Sequence, residues 1–172
     1  QQPYVWRKKS MKDWFGALAG FTMIELVVVM GVIVLLTSIG AAGYNGFNDT
    51  QKLKQTGLTL KNNLRVAQTK AIAASKPSSG CTTLMGYVAT FTANGYAINP
   101  QCTDGVIDDP TTVTFSAGVT FSPVPSSFFF TTLTGRISVS TDRTLMLIGL
   151  SKKYTLIVHP NGDIDDSGLA AL

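Results

Sequence analysis

Histidine is almost missing from this chain of 172 residues: His159 is the only one, and Pro160 follows it at once. Without a second histidine there is no His-Glu-x-x-His helix, and no Gly-x-Ser-x-Gly elbow occurs, so the zinc-hydrolase and serine-hydrolase patterns are both excluded. His159 is expected to be a hydrogen-bonded residue at a strand end. Acidic residues are few, 10 Asp plus Glu in all, and no two are spaced for general acid and base work. Cysteine is limited to Cys81 and Cys102, each far from a second ligand at metal spacing, which leaves a disulfide or two buried thiols. There is no repeat of fixed period and no low-complexity tract. With these patterns missing, an enzyme is not expected, and neither is a cofactor or a metal.

Charge is scarce too, at 14% of residues. Residues 1–20 hold Arg7, Lys8, Lys9 and Lys12 against Asp13, which is +3 of the net +4; the 10 basic and 9 acidic residues that remain leave +1. Basicity concentrated in this way belongs to an N-terminal leader rather than to a nucleic-acid surface.

What the chain does have is a long apolar run. Leu26 to Ile39 carries no charge, and from Phe21 to Ala42 the stretch reaches on the order of 20 residues, the length of a bilayer-crossing helix, with Glu25 its one charge. The basic cluster ahead of it keeps the N-terminus in the cytoplasm by the positive-inside rule and sends the C-terminal domain across the membrane. An exported domain favours the Cys81–Cys102 disulfide over two thiols. A secretory signal peptide cut at Gly40-Ala41-Ala42 and a plain single-span anchor are the competing readings. Glu25 in or beside the apolar region counts against the first, and the second explains neither Gly20-Phe21 nor Glu25.

Beyond the run, Leu53, Gly57, Leu60, Leu64, Ala67, Ala71 and Ala74 recur at steps of four and three, the mark of an amphipathic helix. It is expected to end near Ser75, before Pro77-Ser78-Ser79-Gly80. If continuous with the apolar helix, it forms a rod of roughly 80 Å, with a bend available at Gly40, Gly43 and Gly46. From Gly86 onward the texture is β. Candidate strands are Gly86–Thr92, Tyr96–Asn99, Thr111–Phe115, Val119–Phe121, Phe128–Thr134, Arg136–Ser140, Thr144–Leu150 and Tyr154–His159, with Asn94-Gly95 as a hairpin turn. The fold class is α+β, a long N-terminal helix packed on one antiparallel sheet. The divisions are a leader over 1–20, an apolar helix over 21–43, an amphipathic helix over 44–76 and a β-rich domain over 77–172.

The carboxylate at the edge of the span is the physical oddity, because a charge in lipid needs a partner. Gly20-Phe21-Thr22-Met23-Ile24-Glu25 followed directly by the apolar run resembles the type IV prepilin family over residues 20–44. The resemblance implies a pilin-like fold, a prepilin peptidase that cuts after Gly20 and methylates the amine of Phe21, and pairing of Glu25 with the amine of a neighbouring subunit. It also implies other pilin or pseudopilin subunits and the inner membrane as partners. Leu64-Arg65-Val66-Ala67-Gln68 and Pro160-Asn161-Gly162-Asp163 resemble the minor pilins and the H-type pseudopilins of type II secretion. Ala42 stands where many major pilins have a proline. Met11 is a candidate start for a conventional short leader.

Three weaker signals remain. Lys52, Lys54, Lys61, Arg65, Lys70 and Lys76 line the amphipathic helix; a solvated face is the preferred reading, and contact with DNA phosphates is the alternative, in a chain that would then be a DNA-binding or adhesive tip module on the same anchor. Asp104, Asp108 and Asp109, and then Asn161, Asp163, Asp165 and Asp166, form two acidic runs. Neither has the Asp-x-Asp-x-Asp-Gly order of a calcium loop, so turns are expected rather than calcium. Phe128-Phe129-Phe130 must place at least one ring in the core, because alternate strand residues face opposite sides.

Overall fold

The structure, a computed structural model, describes residues 20–106 and 111–172; the side chains of residues 38–45, within a helix, are outside the description. The expected leader apart from Gly20, together with Asp108 and Asp109, lies outside the described residues. The fold is α+β. Helix α1 (Met23–Ile72) is followed, among the described residues, by β1 (Leu84–Thr92), β2 (Gly95–Cys102), β3 (Gly105–Val106), β4 (Thr111–Thr114), β5 (Thr120–Phe121), β6 (Phe128–Thr131), β7 (Arg143–Ile148), β8 (Lys152–Val158) and β9 (Ile164–Ala171). The chain divides into two compact units, residues 1–42 and 43–172.

In the second unit the periodic positions become the buried face of α1. Leu53, Leu60, Leu64, Ala67 and Ala71 are at most 2% exposed and share one core with residues from the strands. Gly57 belongs to the same face for a steric reason: a Cβ there lies 2.4 Å from the Tyr154 ring, so only glycine lets the helix settle onto β8. Ala74, the last member of the expected stripe, is instead exposed beyond the helix end and takes a left-handed φ of 48°. Ala74 N donates to Ala71 O at 3.0 Å and Ser75 N to Lys70 O at 2.9 Å, a Schellman ending that closes the helix before Pro77.

The single sheet expected from the sequence is two sheets. The first holds β6, β1 and β2 in that order, with β3 and β4 sharing the far edge of β2; the second runs β5-β7-β8-β9. The chain passes between the sheets three times, after β4, after β5 and after β6; the segment between β5 and β6 carries Pro123 and Pro125, which supply no N–H to a ladder. Pairing within both sheets is antiparallel. Phe128 and Phe130 point into the core and Phe129 is half-buried on the other face.

The hairpin between β1 and β2 is offset by one residue from expectation. Thr92 pairs with Gly95, so Ala93 and Asn94 form the turn, and neither is at positive φ, as a type I′ turn requires. Gly95 answers a different need: a Cβ there meets the Val113 carbonyl oxygen at 2.3 Å, so glycine admits β4 alongside. Arg136–Ser140 is not a strand. Ile137 makes one isolated bridge to Phe130, and its N–H goes to Pro160 O. The acidic run after Asn161 is more than a turn, since β9 begins at Ile164 and pairs along β8 with a bulge at Ser167, next to Gly168 at φ 70°.

Cys81 and Cys102 form a disulfide with Cα atoms 5.6 Å apart. It joins the segment leaving α1 to the end of β2, and both cysteines are buried.

Candidate functional site

The residues that the sequence singles out sit at the start of α1. Gly20, Phe21 and Thr22 precede the helix. Thr22 caps it: Thr22 Oγ1 accepts from Glu25 N at 3.3 Å, and Thr22 O accepts from Leu26 N at 3.2 Å. Glu25 is therefore the third residue of the first turn, where the unpaired amides of a helix start favour a carboxylate. This local compensation is invisible to a hydropathy argument. It gives the charge a place without accounting for the apolar sequence on either side.

Gly20 is exposed, and a Cβ built on it meets nothing within 4 Å. Unlike Gly57 and Gly95, it is not required by any close approach among the described residues. Phe21 is 79% exposed and Met23 88%, and every side chain from Phe21 through Thr37 is exposed. Glu25 apart, the helix is apolar on all sides from Met23 to Leu36, with no polar stripe to face water. Its polar side chain at Thr37 bonds inward, to Ile33 O at 2.9 Å and Val34 O at 3.0 Å. Among the described residues no helix is long and apolar enough to cross a membrane; the span expected from Phe21 to Ala42 runs on into residues whose side chains lie outside the description.

Of the six cations expected on the amphipathic helix, Lys76 instead lies beyond the end of α1 at Ile72, because the Schellman turn has already closed the helix; four of the six are engaged within the domain. Lys52 pairs with Asp49 at 3.7 Å, Lys61 with Asp166, Lys70 sits 5.8 Å above the Tyr87 ring, and Lys76 donates to Thr82 O at 2.8 Å. Asp166 also accepts from the Tyr154 hydroxyl. The Lys61 ammonium, followed by that hydroxyl, holds the Asp166 carboxyl below its usual range, while burial and then Asp166 push the Tyr154 phenol up. Gly57, Lys61, Tyr154 and Asp166 thus form one docking unit, with Lys61 a turn beyond Gly57 on the helix. Sequence reasoning missed it because each member looked ordinary; the one available signal was Gly57, a glycine inside an apolar stripe.

The described members of the acidic runs have partners within the protein. Asp104 Oδ2 accepts from Thr82 N at 2.7 Å, which is the main cause of its lowered pKa. Asp163 exchanges two bonds with Asn161. Asp142 and Asp165 face the two nitrogens of His159. Among the described residues no group of three or more His, Cys, Asp or Glu is arranged to hold a metal ion. The two segments of the second resemblance meet in space: Gln68 Nε2 donates to Gly162 O at 2.9 Å.

A cavity of about 180 Å³ opens between the end of α1 and the strands β1 and β2, with Asn63, Lys70, Lys76, Tyr87 and Ile98 in its wall. Its described lining holds no histidine, cysteine or carboxylate. No family model, curated protein or solved structure matches the chain.

Proposed function

We propose that the chain is the precursor of a pilin-like filament subunit, a minor pilin or pseudopilin of a type IV pilus or a type II secretion pseudopilus. A prepilin peptidase cuts after Gly20 and methylates Phe21. The apolar helix holds the subunit in the inner membrane, with the disulfide-bonded domain outside the cytoplasm, until neighbouring subunits take it up and Glu25 pairs with the amine of one of them. The observation that carries this reading is the helix start itself: an exposed Gly20-Phe21 directly ahead of a capped helix whose side chains through Thr37 are uncovered on every face and, Glu25 and Thr37 apart, apolar. Such a helix is covered by lipid or by other helices. The space around Gly20 adds to it, because a glycine that no close approach among the described residues requires points to recognition from outside.

Two rivals fare worse. Gly40, Ala41 and Ala42 lie inside α1, whereas a signal peptidase takes an extended segment. A DNA-binding surface on the amphipathic helix is weakened by the four cations already engaged. The test is co-expression with a prepilin peptidase followed by intact-mass measurement. The expected product starts at Phe21 and is heavier by one methyl group; a product cut near Ala42, or an uncut chain, refutes the reading.

A further inference from the structure

Both nitrogens of the His159 ring face carboxylates. Nδ1 lies 2.9 Å from Asp142 Oδ1, and Nε2 lies 3.3 Å from Asp165 Oδ2. A neutral imidazole has one N–H and one lone pair, so it satisfies one carboxylate and turns its lone pair on the other; only the imidazolium donates to both. Asp142 immediately precedes β7 and Asp165 lies on β9, the two strands that flank β8. The charged ring therefore ties together the two neighbours of its own strand.

The same residue is the root of the turn over residues 160–163. His159 N donates to Asp163 O at 2.9 Å and Gly162 N to His159 O at 2.8 Å. From that turn, Gly162 O accepts from Gln68 Nε2 of α1, and Pro160 O accepts from Ile137 N at 3.2 Å. The other charged groups nearby are Asp163, Arg143, Asp166 and Arg65, and the buried Nε of Arg143 has no hydrogen-bond partner among the described residues. The Asp163 carboxylate accepts from Asn161 Nδ2, Arg143 lies on β7 opposite Val158, and Asp166 is held by Lys61, with Arg65 of α1 also acting on it.

We propose that Asp142, His159 and Asp165 form a proton-operated latch: with the proton bound, the turn over residues 160–163 is held firmly against α1, and with the proton gone it slackens. The latch rests on this geometry and does not depend on the filament reading. The hydrogen bond to Asp142 is the largest influence and raises the His159 pKa above its ordinary value; desolvation opposes it, and Asp165 adds to it. A raised value in the folded state means that the contribution is whole below the unfolded value of about 6.5 and is lost as pH climbs through the folded one.

Because His159 is the only histidine, its ring resonances titrate without overlap in the full chain held in detergent micelles. The expected result is one titration above the ordinary histidine value. Over the same interval, the amides of His159, Gly162 and Ile137 lose protection from hydrogen exchange, after correction for intrinsic base catalysis. Asp165→Asn should move the ring titration and the loss of protection toward acid together, and His159→Gln should leave protection flat with pH. Asp165→Asn carries the test alone if His159→Gln does not fold, since it keeps the ring and its contact with Asp142. A ring that titrates at or below the ordinary value overturns the latch, and so does Gly162 protection that is unchanged across the titration.

Discussion

At Gly57 the effect of one methyl group can be judged from distances. Alanine in a helix interior is favoured over glycine by about 1 kcal/mol, but the added carbon lies 2.4, 2.5 and 2.8 Å from three atoms of the Tyr154 ring. That ring is buried and its hydroxyl is fixed on Asp166, so it has little room to move aside. Overpacking of this kind costs about 1–3 kcal/mol, and the net sign is destabilising. Urea unfolding of Gly57→Ala should show a lower midpoint than the parent. A midpoint raised by the full propensity gain means that the ring yields freely. Gly20 is the contrast at the same scale, because alanine there meets no atom of the described residues and should leave stability unchanged.

Among the elements, those with a strong periodic or β-branched signature were legible. The Leu/Ala stripe of α1, the hairpin of β1 and β2, and the apolar alternation of β7 and β8 follow from side-chain period alone. β9 was not legible, since Asp165-Asp166-Ser167-Gly168 is turn chemistry, and it becomes a strand only because β8 has an edge to fill. Arg136–Ser140 failed in the opposite direction. It alternates correctly, yet Thr131 N and Ile137 N are drawn to Arg136 O and Pro160 O, and the segment closes as a loop. The division into two sheets had no local signal, because the chain passes between them after β4, after β5 and after β6, and Pro123 and Pro125 mark the second of these crossings alone. The docking of Asp166 on Lys61 joins positions 105 residues apart, and no local pattern reports it. The disulfide acts at this scale by pinning the exit of α1 to β2. Closing a loop of roughly 20 residues is worth about 3 kcal/mol on the chain-entropy account. Denaturant unfolding with and without reductant should differ by about that amount, with no difference between the two curves of a Cys81→Ala, Cys102→Ala variant. Equal stability of the oxidised and reduced parent contradicts the assignment.

For the whole molecule the decisive residue is Glu25. Its place in the first turn of α1 gives it a local partner in the helix amides, so replacement by alanine should cost the isolated subunit no more than about 1 kcal/mol. The proposed pairing across subunits asks for far more, because removing one member of a buried ion pair costs about 3–5 kcal/mol. Glu25→Ala should therefore be inserted and cut after Gly20 as before, yet be lost from filaments. The measurement is the ratio of variant in the sheared-filament fraction to variant in the membrane fraction. Normal incorporation shows that the helix start alone accounts for the carboxylate.

The bridge between Cys81 and Cys102 also has a mechanical meaning. When a chain is pulled from its ends, each freed residue lengthens it by about 3.3–3.6 Å. The two cysteines are separated by 21 positions, so the intact bond withholds on the order of 70 Å of contour from any extension. An oxidised domain under tension must yield in shorter steps than a reduced one, and the slack lies next to the end of α1, where a load passing along the helix enters the sheets.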